Sequence, residues 1–148
     1  MKKVLACALI LFAVALGGCA SVPMGDPQAD AALKTFTPKP GKASLYVYRH
    51  ETFGAAIKMT VLLDGKLLGD TASKTYLYAE VDPGKHQLIS KTENDAVLDI
   101  DVLAGNNYYV WQEVKMGMFA ARSFLQKVDD KAGQEGVLQC KLAAPSAK

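Results

Sequence analysis

A chain of 148 residues, half of them hydrophobic, with 17 lysines and arginines against 15 acidic residues, is long enough for one domain with a proper core. Two of those cations, Lys2 and Lys3, sit in a leader, and the stretch after position 18 is left with 15 basic and 15 acidic side chains, a formal charge of zero. Such a balance argues against a nucleic-acid partner and against a basic surface for anionic lipid.

The leader is legible. Met1-Lys2-Lys3 is a short basic head, Val4 to Leu16 is an unbroken apolar run, and Leu16-Gly17-Gly18-Cys19 follows at once. These are the charged, apolar and small-residue zones of a secretory signal. A spanning helix needs roughly twenty apolar residues, and Pro23, Asp26 and Pro27 close the run before that. Leu16-Gly17-Gly18-Cys19 resembles the lipobox of bacterial lipoproteins: the two glycines leave the backbone open to processing enzymes, and the thiol is the nucleophile that takes a diacylglycerol. The resemblance implies cleavage between Gly18 and Cys19 and a covalent diacylglycerol and N-acyl chain on Cys19, with no other cofactor. It also implies contact with lipoprotein-processing and sorting machinery. Ala20 and Ser21 replace the aspartate that signals inner-membrane retention in that class, so the implied address is the outer membrane of a Gram-negative cell, with the domain facing the periplasm. Two or three acyl chains on one residue anchor stably where one is marginal, at about 0.8 kcal/mol per buried methylene. The plain alternative is an ordinary export signal and a free cysteine.

Of the three cysteines, Cys7 lies in the leader and Cys19 is consumed by lipid, so Cys140 alone remains as a thiol and no intramolecular disulfide forms. Cys140 reads as a small packed residue, with inter-chain pairing or nucleophilic action beside His50 or His86 as the alternatives.

The domain plan is a signal peptide at 1–18, a lipidated cysteine and flexible linker at 19–43, a body at 44–142 and a tail at 143–148. Pro23, Pro27, Pro38 and Pro40 with Gly25 and Gly41 give the linker its character, interrupted by an alanine-rich patch at Asp30 to Leu33 good for one helical turn. Beyond Ser44 short strands alternate with turns. Leu45 to Arg49 is β-prone, and Lys58 to Leu63 and Lys66 to Leu68 flank Asp64-Gly65, a hairpin pair suited to positive φ at both positions. Thr75 to Val81 is followed by Asp82-Pro83-Gly84 and His86 to Lys91, then by Val97 to Leu103, a turn at Gly105-Asn106, Tyr108 to Trp111, and Arg122 to Val128. The expected fold is all-β or mainly β, an antiparallel β-sandwich of about seven or eight strands. A short C-terminal helix runs from about Lys131 to Gln139, weakened by Gly133 and Gly136.

Tyr46-Val47-Tyr48-Arg49, Val61-Leu62-Leu63-Asp64-Gly65-Lys66, Val81-Asp82-Pro83-Gly84-Lys85-His86 and Ala104-Gly105 with Tyr108-Tyr109-Val110 together resemble a bacterial envelope family known as domain of unknown function 2846. The Asp-Gly hairpin followed by Pro-Gly-x-His is also similar to PEGA-type surface domains. The resemblance covers about Ser44 to Val128, implies a fold, and carries over no catalytic residues; His50-Glu51 after Arg49 departs from it at one loop.

No phosphate loop, nucleophile elbow or Cys-x-x-Cys is present, and two histidines in no ligand spacing make no metal site. Asp99 and Asp101 share a strand face that alternates with Leu98, Ile100 and Val102, which marks it as solvated. Tyr46 with Tyr48, Tyr76 with Tyr78, and Tyr109 with Trp111 each share a face, either an aromatic binding platform or the sandwich core or its edge, of which the core is the favoured reading. Met116, Met118 and Phe119, flanked by Lys115 and Arg122, form a second candidate surface, but core closure is the favoured reading of them. The functional expectation is a membrane-anchored, non-catalytic interaction module for an envelope protein or peptidoglycan. The alternative is a hydrolase or metal-dependent enzyme on envelope polymers using His50 and His86.

Overall fold

The computed structural model describes residues 19–146; the expected signal peptide at 1–18 and the last two residues of the expected tail lie outside them. The elements in chain order are α1 (Pro27–Leu33), β1 (Ala43–Arg49), β2 (Met59–Leu63), β3 (Lys66–Thr71), β4 (Thr75–Val81), β5 (Gly84–Lys91), β6 (Asp95–Val102), β7 (Asn107–Met116), β8 (Ala121–Val128), α2 (Asp130–Leu138) and β9 (Lys141–Leu142). One sheet has the order β8-β7-β1-β4-β9 and the other β3-β2-β5-β6. The protein is therefore mainly β, a two-sheet sandwich with a short C-terminal helix.

Turn chemistry makes the hairpins. Asp64 and Gly65 take φ of 51° and 76°, the pair of left-handed conformations that a tight β2–β3 connection requires. Gly84, at φ 129°, follows Pro83 and sends the chain from β4 in one sheet to β5 in the other. The sandwich is not wholly antiparallel. β1 lies between β4, antiparallel, and β7, parallel, and the two-residue β9 adds a second parallel pair to β4. Parallel neighbours need a long crossover, and here β2, β3, β5 and β6 make the whole second sheet between β1 and β7.

All seven residues of β1 are buried, as expected of a strand covered on both faces. Ala43, Leu45 and Val47 meet Leu77, Val110, Val61, Leu88, Ile100 and Val102 between the sheets. Tyr46 and Tyr48 point the other way, into a second cluster with Tyr76, Tyr109, Val137 and Cys140. The helices cover that cluster, so the molecule has three layers: helices, five strands, four strands.

Two corrections concern the ends. The segment expected as a flexible linker is folded onto the sheet. Asp26 caps α1 by accepting from the N–H groups of Gln28 and Ala29 at 2.8 and 2.9 Å, and Pro27 sits in the first turn, where its missing N–H costs nothing. Upstream, Val22 is buried between the sheets, Gly25 N–H donates to Leu142 O at 2.9 Å, and Met24 bridges Ala143. The expected tail is pinned as well: Ala143 N–H donates to Tyr76 O and Ala144 N–H to Pro23 O, both at 2.8 Å. Proline and glycine here mark a close-fitting irregular path across the sheet edge, and the apolar residues between them supply its hold.

Helix α2 falls where expected. Asp129 caps it by accepting from Ala132 N–H at 2.9 Å. Its glycines are the contact face: a Cβ on Gly133 would lie 2.1 Å from Tyr109 Cγ, and one on Gly136 would lie 2.1 Å from Tyr48 Cε2. They cost helix propensity and allow the backbone to rest directly on two aromatic rings.

Candidate functional site

The tyrosine face is core, which overturns the aromatic-platform reading of its rings. Tyr46, Tyr48, Tyr76 and Tyr109 are at most 2% exposed, and Tyr78 and Trp111 are half-buried. Tyr46 and Tyr109 stack at 5.2 Å between centroids, and Phe36, from the segment after α1, sets its edge against both at 5.7 and 5.9 Å. Edge-to-face and offset pairs of this kind add to the burial of the rings themselves.

Three of the four buried hydroxyls have hydrogen-bond partners within the fold. Tyr46 donates to Leu33 O at 2.9 Å, Tyr76 donates to Asp30 Oδ1 at 2.8 Å, and Tyr109 accepts from Gln134 Nε2 at 3.3 Å. Asp30 also takes Lys34 Nζ at 2.9 Å and Leu142 N–H at 3.1 Å, joining α1, β4 and β9 through one carboxylate. Burial works to raise the Asp30 pKa, but the Lys34 and Tyr76 bonds outweigh it and hold the group below the ordinary carboxylate range. Burial lifts the tyrosines above their ordinary value, Tyr48 to about 12.

The hairpin joining β7 to β8 is the opposite case. Met116, Met118 and Phe119 are 77, 87 and 89% exposed, so the favoured core-closure reading fails there. Gly117 N–H donates to Ala120 O at 2.8 Å, closing the turn, and Lys115 lies 4.5 Å over the Phe124 ring. Lys115 and Arg122 face each other across the two strands.

The histidines do not share a site. His50 follows the end of β1, its ring 5.5 Å from Tyr48 and 5.3 Å from Trp111. His86 lies near the start of β5, beside the end of β4 that pairs with the beginning of β1. The length of β1 separates them. His86 has both ring nitrogens engaged, Nδ1 with Asp64 Oδ2 and Nε2 with Asp82 O, each at 2.7 Å. Two acceptors favour the doubly protonated ring: the Asp64 bond, then the Asp82 carbonyl, raises the His86 pKa above its ordinary value. Asp99 and Asp101 are exposed near it on the outer face of β6, with Lys85 and Gln87 beside them in a shallow surface depression.

Several anchoring residues carried no signal in the sequence. Arg49 is fully buried and donates from Nη1 to Ile57 O at 2.6 Å and from Nη2 to Gly54 O at 2.5 Å, gathering the loop after β1 around its guanidinium. Burial lowers its pKa, with Glu51 acting in the opposite sense. Glu51 accepts from Trp111 Nε1 at 2.9 Å and from Val114 N–H at 2.5 Å, fixing the same loop to β7. Between the sheets, Gln112 bridges Thr71 at 2.5 Å and Ser90 at 2.7 Å, and Ser123 donates to Ser90 O at 3.1 Å, a fully buried polar chain with its hydrogen bonds made. Cys140 is 2% exposed, and burial pushes its thiol up to about 12, which keeps it protonated at neutral pH. Cys19, by contrast, is exposed.

Among the described residues no group of three or more His, Cys, Asp or Glu is placed to hold a metal ion, and no helix is long and apolar enough to cross a membrane. These features define a class: a helix-backed β-sandwich with a closed aromatic layer and one open apolar hairpin tip. Residues 39–123 match the family model described as "Protein of unknown function (DUF2846)", and the chain belongs to that family. It is 30% identical over 146 residues to an "Uncharacterized protein" of Haemophilus influenzae, the match covering 97% of this chain and 87% of the relative. No solved structure matches. The family match begins before β1 and ends within β8, so α1 and α2, which cover the tyrosine face, and the edge strand β9 lie outside it.

Proposed function

We propose that this protein is an envelope lipoprotein, held in the outer membrane by acyl chains on Cys19, whose sandwich faces the periplasm as a non-catalytic interaction module for a protein or peptidoglycan partner. The observation that carries the reading is Leu16-Gly17-Gly18-Cys19 at the end of a basic-then-apolar leader, with Cys19 exposed ahead of a folded body. The interaction role is supported by where apolar surface is left open: the tyrosine layer is sealed, and the hairpin at Met116 to Phe119 is not.

Cys19→Ala tests the anchor. The expected result is accumulation of uncleaved precursor and loss of the acyl mass on the N-terminal fragment by mass spectrometry; normal processing and membrane retention of this variant refute the anchor. The interaction role is tested with Met118→Asp in the full chain. The expected result is weaker cross-linking to envelope proteins or weaker retention on peptidoglycan, and unchanged capture of both refutes it.

A further inference from the structure

We propose that the β7–β8 hairpin tip is a second membrane contact, seating Met118 and Phe119 in the same bilayer that receives the acyl chains of Cys19. The inference rests on the anchor reading above, adds an orientation to it, and assigns the tip to lipid in place of a protein or peptidoglycan partner.

The first observation is reach. β7 runs parallel to β1 with Tyr48 opposite Trp111, and then continues to Met116 while β1 stops at Arg49. At the rise of a strand, β7 extends roughly 13 Å past the end of β1. Its tip carries the three most exposed large apolar side chains of the described residues, Met116, Met118 and Phe119. Leu103, Val97, Leu67 and Leu138 are also exposed, but each lies on a different element or turn, as single surface apolars commonly do.

The second observation is where the lipid-bearing residue emerges. Ala20 N–H donates to Ala55 O at 2.9 Å, which ties the residue after Cys19 to the loop that follows β1. That loop is fixed to β7. A Cβ on Gly54, the neighbour of Ala55, would lie 2.8 Å from Val114 Cγ1, and Glu51 holds Val114 N–H. Cys19 and the hairpin tip therefore leave the sandwich at the same end, with Phe53, 51% exposed, in the loop between them. A bilayer that holds the acyl chains lies within reach of the tip, because no free linker intervenes.

The third observation is the chemistry of the hairpin. Apolar side chains occupy its end, and Lys115 and Arg122 stand just behind them, where long cationic side chains extend to headgroups. Glu93, in the β5–β6 connection, approaches Gly117. Attraction of net charge is thus not the driver; burial of the methionines and the phenylalanine is.

The test uses the full chain carrying Phe119→Trp, produced in a Gram-negative host, purified in detergent and reconstituted into phosphatidylethanolamine–phosphatidylglycerol vesicles. Tryptophan emission is read as the difference from the unsubstituted chain, and the mass of the Cys19 fragment is read in parallel. The expected result is a blue-shifted introduced indole, quenched by bromine-labelled lipid and several-fold less accessible to iodide than free N-acetyltryptophanamide in the same buffer. An acylated Cys19 with the indole open to iodide and untouched by bromolipid overturns the inference and leaves the anchor standing. An unmodified Cys19 overturns the anchor; the same chain added to vesicles then decides the tip by the same quenching. Shielding from iodide in native envelopes but not in vesicles assigns the tip to a protein partner and overturns the lipid contact.

Discussion

The tyrosine face of the five-stranded sheet and the tip of the β7–β8 hairpin carry similar side chains in opposite surroundings. On the sheet, Tyr46, Tyr48, Tyr76 and Tyr109 are sealed by α1, α2 and Phe36, their rings packed and the hydroxyls of Tyr46, Tyr76 and Tyr109 hydrogen-bonded. At the tip, Met118 and Phe119 touch almost nothing, because the hairpin outruns the strands that would cover it. Apolar character alone does not decide burial; what decides it is whether enough chain remains to lie over the face. The segments before β1 and after β8 do this for the tyrosines, and none of the described residues does it for the hairpin.

Substitutions can break this contrast, in descending order of effect. Tyr109→Ala removes a fully buried ring that stacks on Tyr46, and should cost about 4 kcal/mol in chemical denaturation. A near-neutral outcome would mean that the helical layer is not part of the cooperative fold. Gly136→Ala comes next. In an exposed helix this change stabilises, but here the new methyl meets the Tyr48 ring, so the sign reverses to a loss of about 2 kcal/mol. A gain in stability would show that α2 rides above the tyrosines rather than on them.

Smaller effects follow at the surface. His86, raised above its ordinary value by Asp64 and the Asp82 carbonyl, stabilises the fold in its protonated form. That contribution is fully present below about pH 6.5, the unfolded value, and is lost as pH rises through the higher folded value. At a solvent-screened site it amounts to about 0.5 kcal/mol. Asp64→Asn, which keeps a residue tolerant of positive φ, should flatten this dependence in urea titrations and lower the His86 midpoint by NMR. The smallest change belongs to the tip: Met118→Ser with Phe119→Ser should move stability by less than about 0.5 kcal/mol. A larger loss would place the tip in the core after all.

Local chemistry was readable in the chain and long-range cover was not. Asp64-Gly65, Pro83-Gly84 and the alternation about Asp99 and Asp101 report directly on turns and faces, and the strands fall where they point. Period-two patterning places Tyr46 and Tyr48 on one face of β1 but says nothing of what lies above it, since α1 and α2 arrive from the two ends of the sequence. Proline and glycine near the N-terminus suggested a linker because their signal is local, while the hold comes from Asp30, Val22 and Gly25 meeting partners far along the chain. The glycines of α2 read as weakness for the same reason. Of the candidate surfaces, the Met116 to Phe119 tip was marked by composition alone; Arg49 and Glu51, which fix the neighbouring loop, gave no signal because their partners are carbonyls and amides.

The bridge between Met24 and Ala143 has a kinetic consequence. The sheet edge beyond β4 is completed by β9, and β9 is held on its far side by residues near the beginning of the described chain. Closing so long a loop is among the slowest kinds of contact to form. A nascent chain lacks that strap until β9 and Ala143 have been made. Until then the β4 edge stays open, and completion of the five-stranded sheet awaits β9.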